Sequence, residues 1–481
     1  MQEIVTISLS HRANHLSTQF YNCQEQNLYN NDPKNSVDPS VFLDPLIDRR
    51  TKTVTYYPRA LLWEAKNGNG SLGIYQYIQD TQDYHFKDDK KEIMAGESSH
   101  EVVSTHKKIE RSKYQEALDN NEPSPKLTKE NTEYWSDYNK LIYQPNSFNS
   151  LKDWYHDPEL PNLPDYQNLK RQRFINNEQG LMEWKSQHED FLDENLRSVL
   201  EQCDTLQGFN LVTDIDSAWG GFSASLLQEL KDEVPKCSLF SWGFFESDIL
   251  TSSKPSIDNK YQVKNAIQNT LSMMDHSDLF FPIYSDSKLS NWEVGGQTCR
   301  IYDTVNSVLG HRDSDKRKTM DYITNCITDG DSKRNLITSI TEIDKYYDYS
   351  YISRVISYDK KNRSNKEYYE FSNCVIHRGP QFLKDNKKNN DMKNKESFRN
   401  LETTVFEPSD TIPEEFRTST QYSVKLSSTE KARDVFKHWN DYVQKYFRFD
   451  DNREELKEDL GTLVSTYEHG WYSDEDSGDD L

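Results

Sequence analysis

The chain has no CxxC pair. Its six cysteines, Cys23, Cys203, Cys237, Cys299, Cys326 and Cys374, are scattered. This argues against zinc binding and reads as reduced, mostly buried thiols in a cytosolic-type environment. No apolar run approaches the ~20 residues that span a bilayer. Net positive charge is also missing: 58 basic residues face 80 acidic ones, a formal charge of −22. Over most of its surface such a chain repels nucleic-acid backbones and anionic lipid, so no direct nucleic-acid binding is expected. HExxH, Walker and Ser/His/Asp signatures are absent. Apolar residues make up 34% and mean hydropathy is −0.96, so the globular parts share the chain with long polar insertions. The opening, MQEIVTISLS, carries an acid at Glu3 and alternates like a strand, unlike a signal peptide or an Arg-rich transit peptide.

What is present is an alternation of strands and helices in a chain long enough for two or three domains. Ile4, Val5, Ile7 and Leu9 predict a first strand, followed by a helix over 14–28 with Leu16, Phe20 and Cys23 on one face. TVTYYPRALLWEA (53–65) predicts another strand. From about 76 to 165 the chain is polar and broken by Pro123, Pro125, Pro145, Pro158, Pro161 and Pro164. It reads there as a long insertion or a set of loops, partly ordered by Trp135, Tyr143 and Trp154. A helix over 187–203, a strand over 209–215, a helix over 223–230 and a strand over 238–244 come next. That order implies parallel pairing with a crossover. Residues 263–283 read as a helix leading into an apolar segment.

Two Lys/Asn-rich stretches, 359–367 and 384–396, read as solvated loops. EKARDVFKHWNDYVQKYF (430–447) is the cleanest helix, with Ala432, Val435, Phe436, Trp439, Val443, Tyr446 and Phe447 on one face and Ser428 or Thr429 as its cap. A second helix covers 454–467, and SDEDSGDDL is an acidic tail too polar to fold.

One junction is chemically odd. FNLVTDIDSAWGGFSASLLQEL (209–230) reads as a buried strand, a turn and an amphipathic helix. Many α/β proteins hold a phosphate at such a junction, on a glycine-rich loop. Here the turn runs from Asp216 through Ser217, Ala218, Trp219, Gly220 and Gly221 to Phe222. Asp216 puts negative charge where phosphate would sit, a repulsion of about 4 kcal/mol at ~4 Å and intermediate dielectric. Trp219 fills volume that phosphate oxygens need. Gly220 and Gly221 then take a structural reading, a turn of positive φ or close packing. The junction reads as retained architecture around a closed anion site.

Taken in order, the pieces resemble a diverged tubulin. The start MQEIVTISLSHRANHLSTQFYN follows tubulin's opening strand, loop and helix; YYPRALLWEAKNGN resembles the run containing VPRAVLVDLEPG; LEQCDTLQGFNLV (200–212) resembles ESCDCLQGFQL. The odd junction falls on tubulin's phosphate loop GGGTGSG, and QNTLSMMDHSD (268–278) on the segment that caps the base. The C-terminal helices and acidic tail also correspond. QEIV with HRAN, GFNLVTDIDSAWGGFS and YWSDYNK (134–140) together resemble the Misato family, tubulin relatives with a reworked nucleotide region.

The resemblance implies an α/β tubulin-like fold. It places a Rossmann-type N-terminal domain with a parallel sheet over 1–255, holding the polar insertion at about 76–165. A central α/β domain would cover 256–410, C-terminal helices 411–470 and a disordered acidic tail 471–481. It also implies a degenerate nucleotide pocket formed by His11, Asn14, Glu64, Trp219, Gly220, Gly221 and Gln268. His11 takes the place of a phosphate-facing Gln, with Arg12 and His15 beside it; Lys66 replaces one acid of the VDLEP pair; Gln268 keeps the amide of the base-capping Asn. No GQLNAD-like run stands between 300 and 370. No catalytic residue, metal or cofactor is therefore expected, with GTP or GDP as the alternative. The implied role is partitioning of mitochondria and inheritance of mitochondrial DNA. It would act through protein partners such as tubulin, chaperonin or mitochondrial surface proteins, from the cytosolic side of the mitochondrion with a cytoplasmic pool. A filament-forming GTPase and a cytosolic tubulin or chaperonin cofactor are the alternatives.

Overall fold

The computed structural model describes residues 2–29, 36–47, 50, 52–74, 109–157, 164–167, 172–246, 257–356, 368–379, 398–417, 420–448 and 450–470. Its strands are β1 (Glu3–Leu9), β2 (Leu43–Ile47), β3 (Val54–Pro58), β4 (Ala60–Lys66), β5 (Phe148–Tyr155), β6 (Tyr166–Gln167), β7 (Gln172–Arg173), β8 (Leu206–Asp214), β9 (Ser238–Phe245) and β10 (Leu279–Tyr284), followed by β11 (Ser339–Glu342), β12 (Tyr347–Asp348), β13 (Glu370–Arg378), β14 (Phe398–Thr403) and β15 (Ser423–Thr429). The helices that matter below are α1 (His11–Asn27), α2 (Asn177–Lys185), α3 (Ala218–Glu233), α4 (Ile257–His276), α5 (Asn291–Leu309), α6 (Lys431–Tyr446) and α7 (Arg453–Thr466).

The central sheet runs β10-β9-β8-β1-β4-β5-β6-β7. Every pairing from β10 to β5 is parallel, and only β6 and β7 are antiparallel. All residues of β1, β9 and β10 are buried, as strands covered by helices on both faces are. On one face Ile4, Val212, Phe240 and Trp242 pack with Phe20 of α1 and Ile301 and Val305 of α5. On the other, Val5, Ile7, Phe209 and Leu211 pack with Trp184 of α2, Leu226 of α3 and Ile267 of α4. The α/β class and parallel sheet expected from the sequence are both observed. Chain order reverses at β1, which lies between β8 and β4. Such a switch point opens a crevice at the carboxyl ends of the strands.

A second sheet runs β12-β11-β15-β13-β14. Its link to α5 includes two buried ion pairs, Arg300 with Glu342 at 2.7 Å and Arg378 with Asp303. Helices α6 and α7 join the second face of the central sheet through Val435, Phe436, Trp439, Val443 and Leu460.

Three local readings change. Residues 53–65 form two strands: β3 pairs with β2 in a hairpin while β4 enters the central sheet. Arg59 between them is buried, donates to the Ser40 and Gln202 carbonyls and pairs with Asp44. Within the polar stretch read as loops, β5 is a full member of the sheet, anchored by buried Leu151 and Trp154. Ser428 and Thr429 belong to β15 rather than capping α6, whose N-cap is Glu430 with no side-chain bond. The Lys/Asn-rich stretches and the acidic tail lie outside the described residues.

Candidate functional site

Strand β8 ends at Asp214 and α3 begins at Ala218, so Trp219, Gly220 and Gly221 occupy the first helical turn rather than a loop. Ser217 is the N-cap and its Oγ accepts from the Trp219 N–H at 3.4 Å. The Ala218 N–H donates to the Phe174 carbonyl at 3.2 Å, and the Gly220 N–H to the Ser217 carbonyl at 3.2 Å. A helix N-terminus binds anions because its first N–H groups lack partners; here protein oxygens take them.

The glycines make that closure sterically possible. A Cβ on Gly220 would lie 1.9 Å from Asn269 Nδ2, and one on Gly221 2.2 Å from the Asn177 carbonyl oxygen. On α2, a Cβ on Gly180 would lie 1.8 Å from the Ala218 carbonyl oxygen. Neither Gly220 nor Gly221 has positive φ, so of the two structural readings close packing is the one realised. The expectation of a plug made by Asp216 and Trp219 also changes in detail. Asp216 spends Oδ2 on the Glu246 N–H at 3.3 Å. Trp219 turns its Nε1 to Asp165 Oδ2 at 3.0 Å and packs edge-on against Phe174 and Phe222. The oxygen on the Ala218 N–H belongs to the main chain of the segment entering α2.

The β1 end of the crevice is different in kind. Ser10 caps α1 with φ +112°, a costly value for a non-glycine residue. It places His11 with Nδ1 3.0 Å from Glu64 Oε2 and Nε2 3.1 Å from the Glu133 carbonyl. One turn on, Asn14 Nδ2 donates to Glu64 Oε2 at 3.0 Å and to the Trp63 carbonyl at 2.9 Å. His15 lies 3.3 Å from His11 Nε2 and 2.7 Å from the Tyr138 hydroxyl. His156, just past β5, stacks on His11 with ring centroids 3.9 Å apart. Its Nδ1 faces Asp165 Oδ1 at 3.4 Å, while its buried Nε2 has no partner among the described residues.

The fold thus brings His11, Asn14 and Glu64 together, joins Trp219 to them through Asp165 and His156, and gives Gly220 and Gly221 to packing. Gln268 does not join: it is half-buried on α4, whose buried amides, Asn265 and Asn269, donate to the Ile175 and Ile215 carbonyls. Arg12 pairs with Asp214 at 3.7 Å, and Lys66 stands over the Tyr155 ring. Sequence reasoning missed His156, Asp165 and Phe174. All three lie in or just after the proline-broken stretch, where no spacing signals a ligand.

Burial opposes charge throughout; at His11 and Glu64 local partners outweigh it, and at His15 and Asp214 burial prevails. At His11 burial pushes the imidazole down, but the charge and hydrogen bond of Glu64 prevail and its pKa is raised. At Glu64 burial pushes up, but His11 prevails and the carboxyl is lowered. Burial and then the charge of His11 hold His15 well below the ordinary histidine range. Burial drives Asp214 up to about 7 against the pull of Arg12. His11, Glu64 and His156, all buried, each bring a ligand-type atom to within 4.8 Å of the others, a donor set able to hold a metal ion.

Comparison with known proteins adds identity to this geometry. The Misato Segment II tubulin-like domain matches residues 2–120, and the Tubulin domain matches residues 124–308. Protein DML1 of Kluyveromyces lactis is 44% identical over the whole of both chains. Protein DML1 of Eremothecium gossypii is 42% identical, and that of Yarrowia lipolytica 28%, again over the whole of both chains. The large, mostly parallel sheet and its flanking helices are accordingly those of a tubulin-like α/β fold.

Proposed function

Because the chain belongs to the Misato/DML1 family of tubulin-like proteins, we propose that it is a non-catalytic tubulin-like scaffold that acts through protein partners in partitioning mitochondria and inheriting mitochondrial DNA. The mitochondrial part rests on the family resemblance. The non-catalytic part rests on one observation, the Phe174 carbonyl on the Ala218 N–H at 3.2 Å. A nucleotide phosphate at that helix end would have to displace the segment entering α2, together with the glycine contacts that seat it. The chain then keeps a tubulin-like frame as a surface for partners. It works at the cytosolic side of the mitochondrion, with a cytoplasmic pool; tubulin, chaperonin and mitochondrial surface proteins are the partner classes.

Acute depletion in the cell of origin tests the role. The expected result is unequal delivery of mitochondria to daughter cells and loss of mitochondrial DNA foci from them. Normal partition in depleted cells would refute it. Proximity labelling in the same cells separates the partner classes.

A further inference from the structure

We propose that His11, Glu64 and His156 form a site for one divalent transition-metal ion of the zinc type. This proposal is independent of the nucleotide question. The argument begins with proton bookkeeping. Asp165 is an acceptor at His156 Nδ1, so that nitrogen carries the hydrogen and Nε2 is left as a bare lone pair. That lone pair is buried, in a side chain 2% exposed, with no donor to meet it among the described residues. An unmet buried acceptor is costly.

His11 poses the same problem from the other side. Its Nε2 faces both the Glu133 carbonyl at 3.1 Å and His15 Nε2 at 3.3 Å; in the tautomer that serves the carbonyl, Nε2 carries the N–H. Nδ1 then presents a lone pair to the Glu64 carboxylate oxygen 3.0 Å away. Two acceptors at that distance need something positive between them. A second proton on His11 would answer this contact, but it would leave His156 Nε2 unmet. A metal ion answers both at once.

The donor set selects the metal. Two imidazoles and one carboxylate suit zinc and its first-row neighbours, whereas magnesium and calcium prefer all-oxygen shells. Bonds of about 2.0–2.1 Å to a tetrahedral ion hold ligand atoms roughly 3.4 Å apart. The three ligand atoms here lie within 4.8 Å of one another, and the stacked His11 and His156 rings, 3.9 Å apart, would tilt apart to aim both nitrogens at one ion. The outer shell is also built. Asp165 on His156 Nδ1 is the carboxylate–histidine–metal arrangement that fixes tautomer and ring orientation. Asp165 is held in turn by Trp219 Nε1, and Glu64 by Asn14 Nδ2. The ion would pin three separate pieces, the start of α1, the end of β4 and the segment beyond β5, so its binding energy would add to folding stability.

The test uses the full chain, purified through a tag without histidine, stripped with a zinc chelator and titrated with Zn²⁺. Metal content and melting temperature are both read. The expected result is about one Zn²⁺ per chain and a higher melting temperature on reloading. His156→Ala abolishes both effects, Asp165→Asn weakens affinity roughly 10–100-fold, and His438→Ala, at an exposed position, changes neither. A stripped wild-type chain that takes up no Zn²⁺, or His156→Ala protein that still binds it, overturns the proposal. Should His156→Ala fail to fold, Co²⁺ in the wild-type chain decides. The strong visible absorption of a four- or five-coordinate site supports the assignment, and the weak band of six-coordinate surface Co²⁺ overturns it. Nucleotide content measured on the same sample is a separate readout, so the two ideas fail separately.

Discussion

The two ends of the crevice on the central sheet have met opposite fates. At the α3 end protein meets the backbone donors: the Phe174 carbonyl, the Ser217 hydroxyl and the Ser217 carbonyl cover the first helical turn, and glycines let α2 and α4 close over it. At the α1 end, buried imidazoles and a carboxylate face one another, and one imidazole nitrogen has no partner among the described residues. One end is a packed junction, whereas the other keeps polar chemistry. Packing alone covers the start of α3, while the neighbouring cluster keeps metal-type donors buried together.

The contrast can be broken by mutation at the packed end. Trp219→Ala should have the largest effect, a loss of about 3–5 kcal/mol, because a buried indole leaves a cavity and Asp165 loses its donor. It should not create nucleotide affinity, since the Phe174 carbonyl remains in place; urea denaturation with a GTP titration measures both. Gly180→Ala should cost about 1–3 kcal/mol or more, because its Cβ meets main chain that cannot swing away. A change within about 0.5 kcal/mol, the range of a neutral surface substitution, would mean that α2 does not clamp α3. Ser217→Ala should cost about 1 kcal/mol, as loss of an N-cap does, read by thermal melting.

The smallest effect sharpens the electrostatic side. Asp214 has a folded pKa raised to about 7 by burial, with Arg12 pulling it down and Asp216 and Asp165 adding to the rise. The folded chain keeps this proton where the unfolded chain, with a carboxyl pKa of about 4, has lost it. Its contribution therefore falls as pH rises from about 4 through about 7. Asp214→Asn should flatten that part of the stability–pH curve, whatever it does to the absolute level. An unchanged slope would place the titration elsewhere.

Much of the frame was legible in the sequence because β9 and β10 are mostly apolar and β1 and β8 carry apolar residues on both faces, as strands buried on both sides do. The 3.6-residue periodicity of 431–446 gave α6 in the same way. The sequence places the junction at Asp216 but signals a loop for its first turn, because Gly220 and Gly221 lower helix propensity. What they supply is room for Asn269 and Asn177, which no local pattern can announce. Strand β5 was hidden because FNSLKDWY mixes charge with apolar residues in no period of two. His11, Asn14 and Glu64 were found through family resemblance. His156 and Asp165 were not, since the pairing of β5 with β4 and then with β6 carries them to His11.

The central claim is that protein, not phosphate, satisfies the start of α3. Its most direct test is the guanine-nucleotide content of freshly purified full-length chain, followed by a melting titration with GTP and Mg²⁺. The result expected is no bound nucleotide and no shift in melting temperature. Stoichiometric GDP or GTP, released only on denaturation, would contradict it.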